Sequence, residues 1–131
     1  KVAKCMTPGT HGSTFGGNPL AMSVGNAVLD IILKKGFLKN VQKTSIYFHN
    51  ELKRLHSKYP TVIREIRGVG LLVGIQIYKN QIEFLKKLFD RGLLTVKASE
   101  NVVRLLPPLT VKKKNIDEAV EILEKVCKTY K

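Results

Sequence analysis

The stretch Thr7–Ala21, TPGTHGSTFGGNPLA, sets four glycines, four hydroxyl side chains and His11 directly before a helix start. Ordered glycine costs backbone entropy and adds no packing. Such a density fits a backbone that must come close to something. A glycine-rich loop running into a helix N-terminus is a physical anion site, because amides without an intrahelical acceptor point out of the helix end and the dipole favours negative charge. Thr10, Ser13 and Thr14 add hydroxyl donors. No Lys followed by Ser or Thr closes the loop, so it is not a Walker A loop. No strand feeds it, as a dinucleotide-binding turn requires. Two readings stand here: a cradle for a phosphate monoester, or a flexible entry loop whose glycines allow close packing.

A second candidate lies in NVVRLLPPLTV, Asn101–Val111. Arg104 interrupts an apolar strand, beside Val103 and Leu105 and followed by Pro107-Pro108. Its planar fork suits two-point binding of a carboxylate, and the prolines stiffen the chain just after it. From this segment, an exposed strand arginine and an arginine aimed into a pocket are both open.

Other chemistries find less footing. His49 and His56 are seven apart and have no third ligand at metal-binding spacing; with His11 they make no metal site. Cys5 and Cys127 are distant and form no CxxC, which fits a reducing, cytoplasmic setting better than a disulfide scaffold. The 131 residues carry a net charge of +13, a figure that can signal nucleic acid or an anionic surface. The lysines are scattered, however, with one run at Lys112–Lys114, and a Lys-rich solvated surface is the favoured reading. With 44% hydrophobic and 25% charged residues, the chain is composed like an ordinary globular domain. No apolar run reaches the ~20 residues of a membrane span. The chain opens without Met and without a secretory signal pattern, which suggests a piece of a longer protein or a processed one.

The elements that must hold these residues follow from periodicity. Leu20, Ala21, Val24, Ala27, Val28, Ile31 and Ile32 form one helical stripe after an Asn18 cap and Pro19. Lys34 and Lys35 are expected at that helix's C-terminal end, with Gly36 as a left-handed stop. A second helix buries Leu38, Val41, Ser45, Phe48, Leu52 and Leu55 and ends at Pro60. Two strands follow, about Val62–Ile66 and Leu71–Tyr78, linked through Gly68-Val69-Gly70. A short helix from Gln81 to Arg91 stops at Gly92. Two more strands, LLTVK and VVRLLP, turn at residues 98–101. A last helix starts near Asn115, where Asn115 and Glu118 have capping-box spacing, and buries Ile116, Val120, Leu123 and Cys127. The order predicts an α/β chain of the α+β two-layer kind: a small sheet of about four strands with helices mainly on one face.

Taken together, GTHGSTFGGNPLA, IREIRGVGLLVGIQI, RGLLTVKASENVVRLLPPLTV and the closing amphipathic helix resemble the C-terminal third of class III pyridoxal-phosphate-dependent aminotransferases. The opening GTHGSTFGGNP resembles their acetylornithine and ornithine branch, and Thr10 before His11 leans toward the acetylornithine type. The resemblance implies the C-terminal small domain of a fold type I enzyme over residues 18–131. Residues 1–17 would then be a glycine-rich loop belonging to the large domain. It implies pyridoxal 5′-phosphate as cofactor, a homodimer with its active site at the subunit interface, and amino transfer from N-acetylornithine to 2-oxoglutarate in arginine biosynthesis. Ornithine, succinyl-ornithine, succinyl-diaminopimelate and 4-aminobutyrate are neighbouring donors. By position, Ser13 and Thr14 match the residues that reach the cofactor phosphate of the neighbouring subunit, and Arg104 matches the one that grips the substrate α-carboxylate. The family's Schiff-base lysine maps upstream of Lys1, so this chain alone is expected to be inactive and to be a fragment or the product of a shortened gene. The reading from a different class is a non-catalytic basic binding or oligomerisation module, with nucleic acid as the acidic partner. A steep loss of affinity with salt would mark it.

Overall fold

A computed structural model describes residues 2–130. The chain divides into two compact units, Lys1–Leu38 and Lys39–Lys131.

The first unit holds a short 3-10 turn at Val2–Cys5, the glycine loop, and helix α1, Pro19–Ile32. Asn18 caps α1 from an extended conformation, its side-chain oxygen accepting from the Ala21 amide at 2.9 Å, and Pro19 opens the first turn. The helix ends at Leu33. Lys34 and Lys35 therefore lie beyond its last turn instead of within it, and Gly36, at φ 90°, turns the chain into the next helix. The expected stripe is present, but no residue of α1 is buried, and Leu20 is 75% exposed. Ser23, Asn26 and Asp30 share one polar side of this helix, and the rest of its surface is apolar and uncovered. Such a helix is at rest only against other apolar surface.

The second unit contains the rest, beginning at the third residue of the next helix. Helix α2, Phe37–Lys58, buries Phe48, Leu52 and Leu55. Leu38, expected on that buried side, is exposed; the core reaches α2 from Val41, which is partly buried against it, onward. Strands β1, Ile63–Val69, and β2, Leu72–Ile77, form a hairpin. Val69 pairs with Leu72, so the turn is Gly70-Leu71, and Gly68 and Val69 remain in β1. Gly70 takes the first central position at φ 63°, which glycine adopts without penalty. Helix α3, Gln81–Phe89, is capped by the Asn80 side chain on the Glu83 amide. Strands β3, Val96–Ala98, and β4, Val102–Leu105, precede helix α4, Lys113–Lys128.

The capping box at Asn115 does not form. Helix α4 starts two residues earlier, from an extended Lys112, and the Asn115 amide already donates to the Lys112 carbonyl at 3.0 Å. Asp117 serves a tertiary contact instead, accepting the Tyr47 hydroxyl of α2.

The four strands make one antiparallel sheet in the order β1-β2-β4-β3. Ile63, Val73, Ile75, Ile77, Val103 and Leu105 share a single core cluster with side chains from α2, α3 and α4. The other face of the sheet, where Arg67, Leu72 and Arg104 emerge, is exposed. The two-layer arrangement read from the sequence is the one observed.

Candidate functional site

Arg104 sits in β4, whose residues alternate between the two faces of the sheet. Val103 and Leu105 enter the core, while Arg104 points to the open face. It pairs in register with Gly74 of β2 on one side and with Val96 of β3 on the other, and Gly74 in turn pairs with Arg67 of β1. One row of the sheet thus reads Arg67, Gly74, Arg104, Val96. The Arg104 side chain makes no hydrogen bond or ion pair among the described residues. Its same-face neighbours in sequence are Val102, buried, and Leu106, 66% exposed. The result is a free guanidinium fork on an uncovered, partly apolar surface, a chemistry made for a carboxylate. Sequence periodicity could not choose between a core and an open direction for this residue; the strand pairing does.

Gly74 is a residue that sequence reasoning missed. A Cβ built there would stand 2.8 Å from Cγ1 of Val102 and 3.7 Å from Cγ of Arg67. Two neighbours close over the gap left by the missing side chain. The available signal was the glycine spacing in RGVGLLVG, which periodicity alone did not decode.

Ser13 and Thr14 lie in the first unit and Arg104 in the second. Both hydroxyl residues are exposed, and neither side chain has a partner among the described residues. Thr10, by contrast, is engaged, donating to the Thr7 carbonyl at 2.6 Å. The end of α1 is less open to an anion than expected. Pro19 has no amide hydrogen, the Ala21 amide is capped by Asn18, and the Asn18 amide donates to the Phe15 carbonyl at 3.3 Å. Only Leu20 keeps an unsatisfied amide in that first turn among the described residues. The donors that remain are the Ser13 and Thr14 hydroxyls with the loop amides beside them. That set of neutral donors fits the phosphate ester of pyridoxal phosphate.

The remaining reactive groups play other parts. Burial pushes the Cys127 thiol up to about 12, so it packs as a small hydrophobe. Cys5 is exposed. His49 contacts the Gly70 carbonyl at 3.0 Å, alongside a 2.8 Å bond from the Ser45 hydroxyl, and the two tie α2 to the hairpin turn. No group of three metal-binding side chains occurs among the described residues, and no described helix is long and apolar enough to cross a membrane.

Comparison with known proteins bears on all of this. Residues 1–127 match the family profile described as aminotransferase class-III. The chain is 47% identical over 124 residues to the acetylornithine aminotransferase of Brucella melitensis, covering 95% of this chain and 31% of that protein. It is 49% identical over 125 residues to the enzyme of the same name from Agrobacterium fabrum, covering 95% and 31%. Among solved structures, ornithine aminotransferase from Plasmodium yoelii superposes with a TM-score of 0.85 at 34% identity, over 99% of this chain and 35% of that one. Acetylornithine aminotransferase from Elizabethkingia anophelis gives 0.82 at 33% identity, over 98% and 33%. The chain therefore spans about a third of the length of these relatives. The reading as a basic, non-catalytic module finds no support in these likenesses. By profile, identity and fold, the chain belongs to the class III aminotransferases, a pyridoxal-phosphate-dependent family.

Proposed function

We propose that residues 1–131 serve as the C-terminal part of an aminotransferase of the acetylornithine type. The whole enzyme would move an amino group from N-acetylornithine to 2-oxoglutarate in arginine biosynthesis, as a cytoplasmic homodimer. The observation that carries this reading is Arg104, an unpaired guanidinium on an uncovered sheet face. Its role is to hold the substrate α-carboxylate by two parallel hydrogen bonds, fixing the amino end at the reacting centre. Val102 and Leu106 flank it; once the face is covered they exclude water and strengthen that ion pair. Ser13 and Thr14 donate hydrogen bonds to the cofactor phosphate held by a neighbouring subunit, Thr14 most directly. Bound pyridoxal phosphate supplies an electron sink that this chain's side chains lack.

Residues 18–131 form the small domain in this reading, and 1–17 reach out of it. The unburied apolar surface of α1 fits a helix that packs against the portion of the fold that the longer relatives possess. The two free thiols suit a reducing compartment.

The test is a graft. Residues 1–131 replace the matching third of the Agrobacterium fabrum enzyme, and amino transfer from N-acetylornithine to 2-oxoglutarate is assayed. The reading expects turnover. A folded, cofactor-loaded graft without transfer would contradict it.

A further inference from the structure

We propose that Arg67 is a positioning residue for Arg104, acting through Glu100 in the turn that leads into β4; this rests on the carboxylate reading of Arg104. Both arginines rise from the open face of the sheet, one on each side of Gly74. They are not equivalent. Arg104 is unpaired, whereas the Nη2 of Arg67 donates to Oε2 of Glu100 at 2.8 Å. The contact crosses from β1 over β2 to the link between β3 and β4. Gly74 lets it pass: the place of its missing Cβ is bordered by Cγ of Arg67 and Cγ1 of Val102.

Glu100 needs such an anchor. Glu100 and Asn101 are consecutive non-glycine residues at φ 60° and 61°, a left-handed conformation that a side chain such as Glu resists and that persists only where its surroundings over-determine it. Those surroundings are visible. Asn101 donates from Nδ2 to the carbonyls of Ile77 and Lys79, at 2.5 and 2.8 Å. Gln76 donates to the Glu100 carbonyl at 2.9 Å, and the Ile77 amide to that of Asn101 at 3.1 Å. The Arg67 ion pair is the main hold on the Glu100 side chain itself, and the positive charge of Arg64 acts on the same carboxylate. The turn feeds straight into Val102, two residues before Arg104, in a strand of four residues whose edge partner has three. β2 pairs with this strand along its length and sets its register, while the turn sets how firmly its first residues are held, and Arg67 holds that turn.

The experiment uses the 131-residue chain and N-acetylornithine as the carboxylate probe. Amide hydrogen exchange reads strand order at Val103–Leu105, and the NMR shift of the Arg104 Nε–H reads probe binding. Arg67→Met keeps the aliphatic stem and removes the charge. It is expected to speed exchange of those amides about threefold, the scale of an exposed ion pair, and to weaken probe binding about threefold. Adding Glu100→Gly, which takes φ 60° without strain, should restore both. Arg67→Lys, which keeps a single-point contact, should show the same pattern with a smaller loss. The proposal is overturned if Arg67→Met changes neither readout. It is equally overturned if binding falls and Glu100→Gly does not restore it, since Arg67 would then act on the anion directly. If the probe shifts Arg104 in no chain, the carboxylate reading is decided by the Agrobacterium fabrum graft, and unchanged exchange in Arg67→Met ends this one on its own.

Discussion

Gly74 stands directly opposite Arg104 in the β2–β4 ladder, so the side chain read as the carboxylate grip faces a position with no side chain at all. The same glycine lies against Val102, whose Cγ1 would be only 2.8 Å from an added Cβ. Gly74→Ala is therefore expected to destabilise the second unit by about 1–3 kcal/mol through overpacking. Gly68→Ala should cost more, because its Cβ would meet the Leu72 carbonyl oxygen, backbone that cannot swing away, at 2.1 Å. Thermal melts of the two variants give the order; equal melting temperatures would contradict this packing.

Glu124 should confer acid sensitivity. It accepts from Lys58 at 2.5 Å, and that hydrogen bond, ahead of the charges of Lys58 and Lys128, holds its carboxyl below the usual range. The unfolded chain therefore takes up the proton at a higher pH than the folded one. The stabilisation is complete above the ordinary carboxylate pKa and is lost as pH falls through the folded value. Glu124→Gln should lower the melting temperature by about 2–5 °C at pH 7, and the gap should narrow as the pH falls below the ordinary carboxylate range. A gap that widened in acid would reverse the sign of the argument.

Much of this fold could be read from residue order. The order of helices and strands and the two-layer sheet follow from periodicity, and the stripe of α4 is buried as its spacing predicts. What could not be read depends on partners distant in the chain. Asn115 has the right neighbours for a cap, yet α4 starts at Lys113, and Asp117 turns to Tyr47, 70 residues away. The stripe of α1 has helical period but no buried residue, because periodicity reports a face and not what covers it. Arg104 was visible as a residue, while its direction required the register with Gly74.

Cysteine reactivity should split. Cys127 is fully buried and its thiol is pushed up to about 12, whereas Cys5 is exposed. Iodoacetamide at pH 8 should label Cys5 alone in the native chain and both cysteines in denaturant. Native labelling of Cys127 at the rate of Cys5 would show that the α4 face opens readily.

The Asn18 cap should govern the first turn of α1. Asn18→Ala removes the acceptor of the Ala21 amide, a loss of about 1 kcal/mol. Hydrogen exchange at Ala21 should rise about fivefold, with the second unit unchanged. No change at Ala21 would mean the cap bond does not form in solution.

The most direct measurement concerns Arg104. In the Agrobacterium fabrum graft, Arg104→Lys keeps the charge and loses the two-point fork. The account predicts that kcat/KM for N-acetylornithine falls at least ~100-fold, about 2.7 kcal/mol of transition-state stabilisation. The melting temperature should stay nearly unchanged, because the exposed guanidinium has no partner among the described residues. A variant that loses its fold while each surviving molecule keeps full activity would make Arg104 a structural residue and contradict the account.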